Sequence, residues 1–113
     1  MKILFICNQN ENRSKTAEEL FKNKKDVQVK SAGLYNEKPV TKAQIQWADL
    51  VIVMEDAQRK EISNRFPKEY LEKRIVSLDI PDIYSFGDKE LVDLLKKNIS
   101  SLFKITTPKI LQA

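Results

Sequence analysis

Residues 1–14 of the 113-residue chain read MKILFICNQNENRS, and this stretch decides the fold class. The run over residues 2–6 is apolar after its first lysine, as expected of a strand that is covered on both faces. From Ser14 to about Lys24, the spacing of apolar side chains predicts a helix. Residues 7–13 therefore form the loop that joins a buried strand to a helix.

The rest of the chain continues the alternation of strands and helices. Further strands are predicted over residues 27–31, 50–54 and 74–78, and helices over 41–48, 56–65 and from Asp88 onward. This order implies a single α/β domain over residues 1–113, with a four-stranded, mainly parallel sheet flanked by helices. The tail from about residue 105 is expected to be loosely held. Trp47 is expected in the core, beside Ala48 and ahead of a buried strand.

Ligands of such sheets bind beyond the carboxyl ends of the strands. Cys7 ends the first predicted strand, and residues 79–87, which read DIPDIYSFG, follow the fourth. We expect the fold to bring both to one crevice.

Composition excludes several functions. Hydrophobic residues make up 42 % of the chain, and the net charge is +4. No apolar run approaches the roughly 20 residues that a membrane span needs. The lysines are scattered, without the continuous basic surface that nucleic-acid binding requires. Neither a membrane nor a nucleic acid is therefore expected as a partner.

The chain contains one cysteine and no histidine. A lone cysteine forms no internal disulfide, which suits a reducing compartment, and we expect a cytoplasmic protein. Without histidine or a cysteine pair, we expect no metal site and no cofactor. Ser-His-Asp and Cys-His catalysis are excluded for the same reason.

Residues 7–14 have the pattern Cys-x5-Arg-Ser, and the segment from Cys7 to Arg13 is called the phosphate loop below. A lone cysteine at a strand end is ordinarily an inert apolar residue. Here, a loop that enters a helix aims backbone N–H groups inward and adds partial positive charge. That environment suits a tetrahedral dianion and stabilises a thiolate. Arg13 can hold two phosphate oxygens as a fork, and Ser14 either donates to the thiolate or caps the helix. The predicted phosphate-binding residues are Asn8, Gln9, Asn10, Glu11, Asn12 and Arg13.

The chain resembles the low-molecular-weight protein tyrosine phosphatases, and most closely a short bacterial branch of them. The resemblance covers about residues 1–104. It rests on the Cys-x5-Arg-Ser pattern together with Ala17-Glu18, Ser31-Ala32-Gly33, the stretch DLVIVM over residues 49–54, and the stretch DIPD-x-Y over residues 79–84.

The resemblance implies hydrolysis of phosphate monoesters in two steps, with a phosphorylated protein or a small aryl phosphate as substrate and inorganic phosphate as product. Cys7 attacks phosphorus, Arg13 and the loop hold the equatorial oxygens, and water hydrolyses the phosphocysteine. The leaving group needs a proton, and in the absence of histidine a carboxylic acid must supply it. The loop over residues 79–87, called the acid loop below, offers Asp79 and Asp82. The family pattern matches Asp82 to the general acid.

An aromatic pocket would favour phosphotyrosine. Tyr84 matches a family aromatic beside the acid, and Tyr35 and Phe86 are further candidates for pocket walls. Better-known members have glycine at Gln9, a second cysteine at Asn12 and paired tyrosines after the acid. Glu11 also places a carboxylate on a loop that is expected to bind anions.

Two other functions stay open. A non-catalytic module that binds phosphate or phosphopeptides would use the same loop. Arsenate reduction would need a thiol from an external partner, because the chain has no second cysteine.

Overall fold

The structure is a computed structural model that describes residues 1–103. Strands and helices alternate along these residues. In chain order they are β1 (Lys2–Cys7), α1 (Arg13–Phe21), β2 (Gln28–Gly33), α2 (Lys42–Trp47), β3 (Leu50–Val53), α3 (Asp56–Arg65), α4 (Pro67–Glu72), β4 (Arg74–Ser77) and α5 (Lys89–Phe103). The prediction for the tail from about residue 105 falls outside the described residues.

The four strands form one sheet in the order β2-β1-β3-β4, and every neighbouring pair is parallel. The predicted α/β domain with a four-stranded parallel sheet is confirmed. Strands β1 and β3 occupy the centre, where the side chains from Ile3 to Cys7 and from Leu50 to Val53 are buried. Burial of each large apolar side chain contributes about 1.5–3 kcal/mol, so the central strands anchor the domain.

Alternate side chains of β1 enter two separate core layers. Phe5 packs with Phe21 of α1 and Leu95 of α5 on one face. Leu4 packs with Ile45 of α2 and Ile62 of α3 on the other face. This alternation explains why residues 3–6 are apolar without interruption: a strand between two layers has no solvent side.

Strand β2 continues past its predicted end at Ser31 to Gly33, which pairs with Cys7. The phosphate loop packs directly on Gly33: a β-carbon there would lie 2.9 Å from the carbonyl oxygen of Asn8 and 3.0 Å from the carbonyl carbon of Gln9. The glycine therefore does not break the strand. It leaves room for the loop.

One helix was not predicted, and one side chain was assigned to the wrong place. Helix α3 ends at Arg65 as predicted, but a missed helix, α4, begins at Pro67. Proline fits the first helical position because its absent N–H would have no partner there. Trp47 is half-buried at the edge of the core and not inside it, with the ammonium groups of Lys30 and Lys2 4.5 and 5.9 Å from its ring centre.

Candidate active site

Three segments meet at the carboxyl edge of the sheet. The phosphate loop follows β1, Glu55 lies just beyond β3, and the acid loop follows β4. Because β1, β3 and β4 are neighbours in the sheet, segments far apart in sequence come together there. This neighbouring arrangement of strand ends is the reason why Cys7 and the acid loop were expected in one crevice.

A cavity of about 40 Å³ lies at this edge. A site for one water needs roughly 10–15 Å³, so this cavity has space for about three oxygen-sized atoms. Its lining residues come from the phosphate loop and the acid loop: Cys7, Gln9, Glu11, Asn12, Arg13 and Asp82. The structure thus brings together the predicted nucleophile, the predicted arginine and the predicted acid.

Arg13 is 1 % exposed, which is unusual for arginine and calls for partners. Its Nη1 donates to the carbonyl oxygen of Ile80, at 2.8 Å, and to a carboxylate oxygen of Glu55. Its Nε lies 3.7 Å from Oδ1 of Asp82. The guanidinium is therefore fixed between β3 and the acid loop while it borders the cavity.

Sequence reasoning missed Glu55 and Gln58, at the start of α3. Gln58 is 2 % exposed, and its Oε1 accepts hydrogen bonds from the backbone N–H groups of Met54 (2.8 Å) and Glu55 (2.9 Å). Its Nε2 donates to Oδ1 of Asn8 at 3.0 Å. The start of α3 thus contacts both ends of the phosphate loop, because Glu55 binds Arg13 and Gln58 binds Asn8. A glutamine three residues after a helix-capping carboxylate is a recognisable signal for such a start.

Cys7 is buried, and so is the hydroxyl of Ser14, which makes no hydrogen bond within residues 1–103. Helix α1 begins at Arg13 with Asn12 as its N-cap, so the alternative of Ser14 as the N-cap is wrong. Asn10 adopts a left-handed backbone with φ of 57°, a conformation that asparagine tolerates better than most residues. The Ser14 hydroxyl remains available as a donor.

The two aspartates of the acid loop lie in different places. Asp82 is 53 % exposed and borders the Cys7 cavity. Asp79 lines a neighbouring groove with Glu55 and Pro81, and its Oδ1 accepts a hydrogen bond from the Ser77 hydroxyl at 3.3 Å. The geometry therefore favours Asp82 as the carboxyl group that faces a bound phosphate.

The three predicted aromatic walls lie outside the set of residues that lines the cavity. Tyr84 packs against the core, and its hydroxyl donates to Glu90 at 3.5 Å. Desolvation, followed by the nearby Glu90 carboxylate, raises the pKa of Tyr84 above its usual value of 10.0. Tyr35 lies beside the guanidinium of Arg65, and the Phe86 side chain is 53 % exposed.

Comparison with known proteins shows which family the first part of the chain resembles. Residues 2–46 match the family described as low molecular weight phosphotyrosine protein phosphatase. This match covers less than half of the chain. No curated protein sequence matches the chain significantly.

Solved structures show the same fold. The YwlE arginine phosphatase from Geobacillus stearothermophilus is 23 % identical, with 91 % of this chain and 92 % of that chain covered and a TM-score of 0.70. The low molecular weight protein tyrosine phosphatase SP-PTP from Streptococcus pyogenes is 17 % identical, with 98 % and 97 % covered and a TM-score of 0.78. The tyrosine phosphatase Wzb from Escherichia coli K30, in complex with phosphate, is 22 % identical, with 93 % and 97 % covered and a TM-score of 0.75.

The resemblance read from the sequence motifs is thus confirmed over residues 2–46, and the solved structures share the fold of the chain. The sequence match includes the phosphate loop but ends before the acid loop. The assignment of Asp82 therefore depends on its position beside the cavity. No helix within residues 1–103 is long and apolar enough to cross a membrane.

Proposed function

We propose that this chain hydrolyses phosphorylated protein side chains, with Cys7 as nucleophile, Arg13 as phosphate ligand and Asp82 as general acid. The observation that carries the proposal is the single cavity bordered by these three side chains, two of them from the phosphate loop and one from the acid loop. A reduced thiol is required, which suits the reducing cytoplasm.

In the first step, the Cys7 thiolate attacks phosphorus and forms an S–P bond while the bond to the leaving oxygen breaks. The leaving oxygen takes a proton from the Asp82 carboxylic acid and departs as a neutral alcohol or phenol. Arg13 stabilises the charge on the equatorial oxygens, and its fixed partners keep it in place throughout.

In the second step, the Asp82 carboxylate accepts a proton from water as that water attacks the phosphocysteine. The S–P bond breaks, inorganic phosphate forms, and the Cys7 thiolate and the Asp82 acid are regenerated. The buried Ser14 hydroxyl is suited to donate to the departing thiolate.

Hydrolysis of p-nitrophenyl phosphate by the wild type and by Cys7→Ser tests the proposal. Cys7→Ser should abolish turnover, because a serine hydroxyl without a base is a poor nucleophile. Phosphate binding without hydrolysis by the wild type would favour the non-catalytic module instead. Arsenate reduction that depends on an added thiol, without ester hydrolysis, would favour the reductase.

Asp82→Asn and Asp79→Asn form a matched pair that tests the acid. With phenyl phosphate, whose leaving group needs a proton, a general acid contributes about 100- to 10,000-fold to the rate, and we expect a loss in this range for Asp82→Asn only. The reverse pattern would assign the proton to Asp79.

A second candidate substrate, phosphoarginine, is favoured by Glu11. Glu11 is exposed at the border of the phosphate cavity and makes no ion pair within residues 1–103. Beside a phosphate ester, the Glu11 carboxylate would be repelled by the negative phosphate group. Beside phosphoarginine it would meet the guanidinium next to phosphorus, an opposite charge and a hydrogen-bond donor. Among proteins of this fold, YwlE is an arginine phosphatase, whereas SP-PTP and Wzb are tyrosine phosphatases.

A phosphoarginine peptide and a phosphotyrosine peptide of the same sequence separate the two substrates. If Glu11 selects the guanidinium, Glu11→Gln should lower kcat/KM for phosphoarginine and raise it for phosphotyrosine. A neutral residue removes an attraction in the first case and a repulsion in the second. Equal effects on both peptides would contradict this role.

A further inference from the structure

The acid loop is attached to the phosphate-loop side at both of its ends. At the near end, Arg13 donates to the carbonyl oxygen of Ile80 at 2.8 Å. At the far end, the backbone N–H of Phe86 donates to Oδ1 of Asn12 at 3.1 Å, and that of Gly87 donates to the Thr16 hydroxyl at 3.0 Å. Asp82 lies between these two attachments.

The Thr16 hydroxyl acts as a bridge. It donates to the carbonyl oxygen of Asn12, at 2.7 Å, and accepts the N–H of Gly87. Thr16 is 2 % exposed, so water does not readily replace either bond. Gly87 has φ of 75°, a backbone conformation that glycine adopts without strain, and this turn directs its N–H toward Thr16.

Asp82 depends on this attachment because its own side chain is weakly held. The carboxylate is 53 % exposed, and its only ion pair within residues 1–103 is the 3.7 Å contact with Arg13. The backbone of the acid loop therefore determines where the carboxyl group lies. A displacement of about 1 Å in a reacting group can cost on the order of 100-fold in rate.

We propose that Asn12 and Thr16 are positioning residues that hold the far end of the acid loop and so place Asp82 over the leaving group. This inference rests on the proposed function, since it assigns the two residues to the proton-transfer step. Neither residue exchanges a proton with substrate. They act by holding the backbone N–H groups of Phe86 and Gly87, which follow Asp82 in the acid loop.

The test compares phenyl phosphate with p-nitrophenyl phosphate. Phenol has a pKa of about 10, like tyrosine, and needs the acid, whereas p-nitrophenolate leaves more readily without a proton. Thr16→Val keeps the shape of the side chain and removes the hydroxyl. We expect it to lower kcat/KM by about 10-fold for phenyl phosphate and by about 2-fold for p-nitrophenyl phosphate, a partial loss of the contribution of the acid.

Three comparisons make the test specific. Thr16→Ser, which restores a hydroxyl, should recover most of the phenyl phosphate activity. Asn12→Ala should show the same dependence on the leaving group as Thr16→Val. Thr41→Val removes a threonine hydroxyl that accepts a backbone N–H at the start of α2, away from the site, and should leave both rates unchanged.

The proposal and the proposed function fail in different ways. No hydrolysis by the wild type would overturn both. Normal hydrolysis with a leaving-group effect for Asp82→Asn, but an equal loss for both substrates in Thr16→Val, would overturn the positioning role alone. In the Asp82→Asn background, Thr16→Val should add little further loss, and a full additional 10-fold loss for phenyl phosphate would likewise contradict it.

Amide hydrogen exchange gives a readout that does not depend on turnover. The N–H groups of Phe86 and Gly87 should be protected in the wild type, and the Gly87 N–H should exchange faster in Thr16→Val. Equal exchange of Gly87 in both proteins would show that the hydroxyl does not hold the loop.

Discussion

Substitution of Glu55 by glutamine tests how Arg13 is held. Glutamine keeps an oxygen that can accept from the guanidinium Nη1 but removes the negative charge. A charge-assisted hydrogen bond contributes roughly 1.5–3 kcal/mol and a neutral one about 0.5–1.5 kcal/mol, so the expected loss in the free energy of unfolding is about 1 kcal/mol. The 40 % exposure of Glu55 argues against a larger value, because solvent screens the pair.

Thermal unfolding measures this loss. About 1 kcal/mol corresponds to a decrease in Tm of roughly 4–8 °C for a domain near this size. Inorganic phosphate should then raise the Tm of Glu55→Gln by more than it raises that of the wild type, because the phosphate replaces the missing counter-charge beside Arg13.

The matched control is Glu61→Gln in α3, the helix that follows Glu55. Glu61 pairs with Arg65 at 2.7 Å, both side chains are more than a quarter exposed, and the pair does not border the cavity. Its loss should cost only about 0.3–0.5 kcal/mol, with no change in the response to phosphate. Equal Tm values for Glu55→Gln and the wild type, or an equal response to phosphate, would refute the claim that Glu55 balances the charge of Arg13.

Three further predictions concern the phosphate loop. Gln58→Ala should weaken phosphate binding about 3- to 10-fold through the lost bond to Asn8. The control Gln44→Ala, which removes the capping glutamine of α2, should lower stability only, and calorimetric titration with phosphate distinguishes the two. Gly33→Ala should also weaken phosphate binding, because its β-carbon would lie 2.9 Å from the carbonyl oxygen of Asn8 and force the loop to move; unchanged affinity would mean that the loop yields freely. Peroxide should oxidise Cys7 to a sulfinic acid that thiols do not reduce, since no second cysteine exists to form a protective disulfide. Full recovery with dithiothreitol, measured by activity and intact mass, would contradict this.

The sequence predicted the elements whose signals are local. The apolar run of β1 and the Cys-x5-Arg spacing identified the strand and the phosphate loop. The helix predicted to begin at residue 41 is α2, whose N-cap is Thr41. The rule that ligands bind at strand carboxyl ends also placed the acid loop beside Cys7.

What the sequence did not reveal depends on side chains that meet through the tertiary fold. Glu55 follows the predicted strand over residues 50–54, and Gln58 lies in the predicted helix over 56–65. The rule applied to the carboxyl end of β4 holds equally for β3 but was not applied there. Tyr84 was predicted as a pocket wall from its place beside the acid. Its half-buried ring packs against the core, and its hydroxyl contacts Glu90. Side chains in an irregular loop do not follow the periodic spacing of a helix or strand, so the sequence pattern does not predict which way Tyr84 points.

The central claim is that Cys7 takes the phosphoryl group from the substrate. The most direct measurement is rapid acid quench of the reaction, followed by peptide mass spectrometry that locates the bound phosphate. The account predicts a phosphoryl group on the peptide that contains Cys7, which forms within the first turnover and disappears as substrate is exhausted. Phosphorylation of a different side chain, or hydrolysis with no phosphoryl-enzyme at any time, would contradict it.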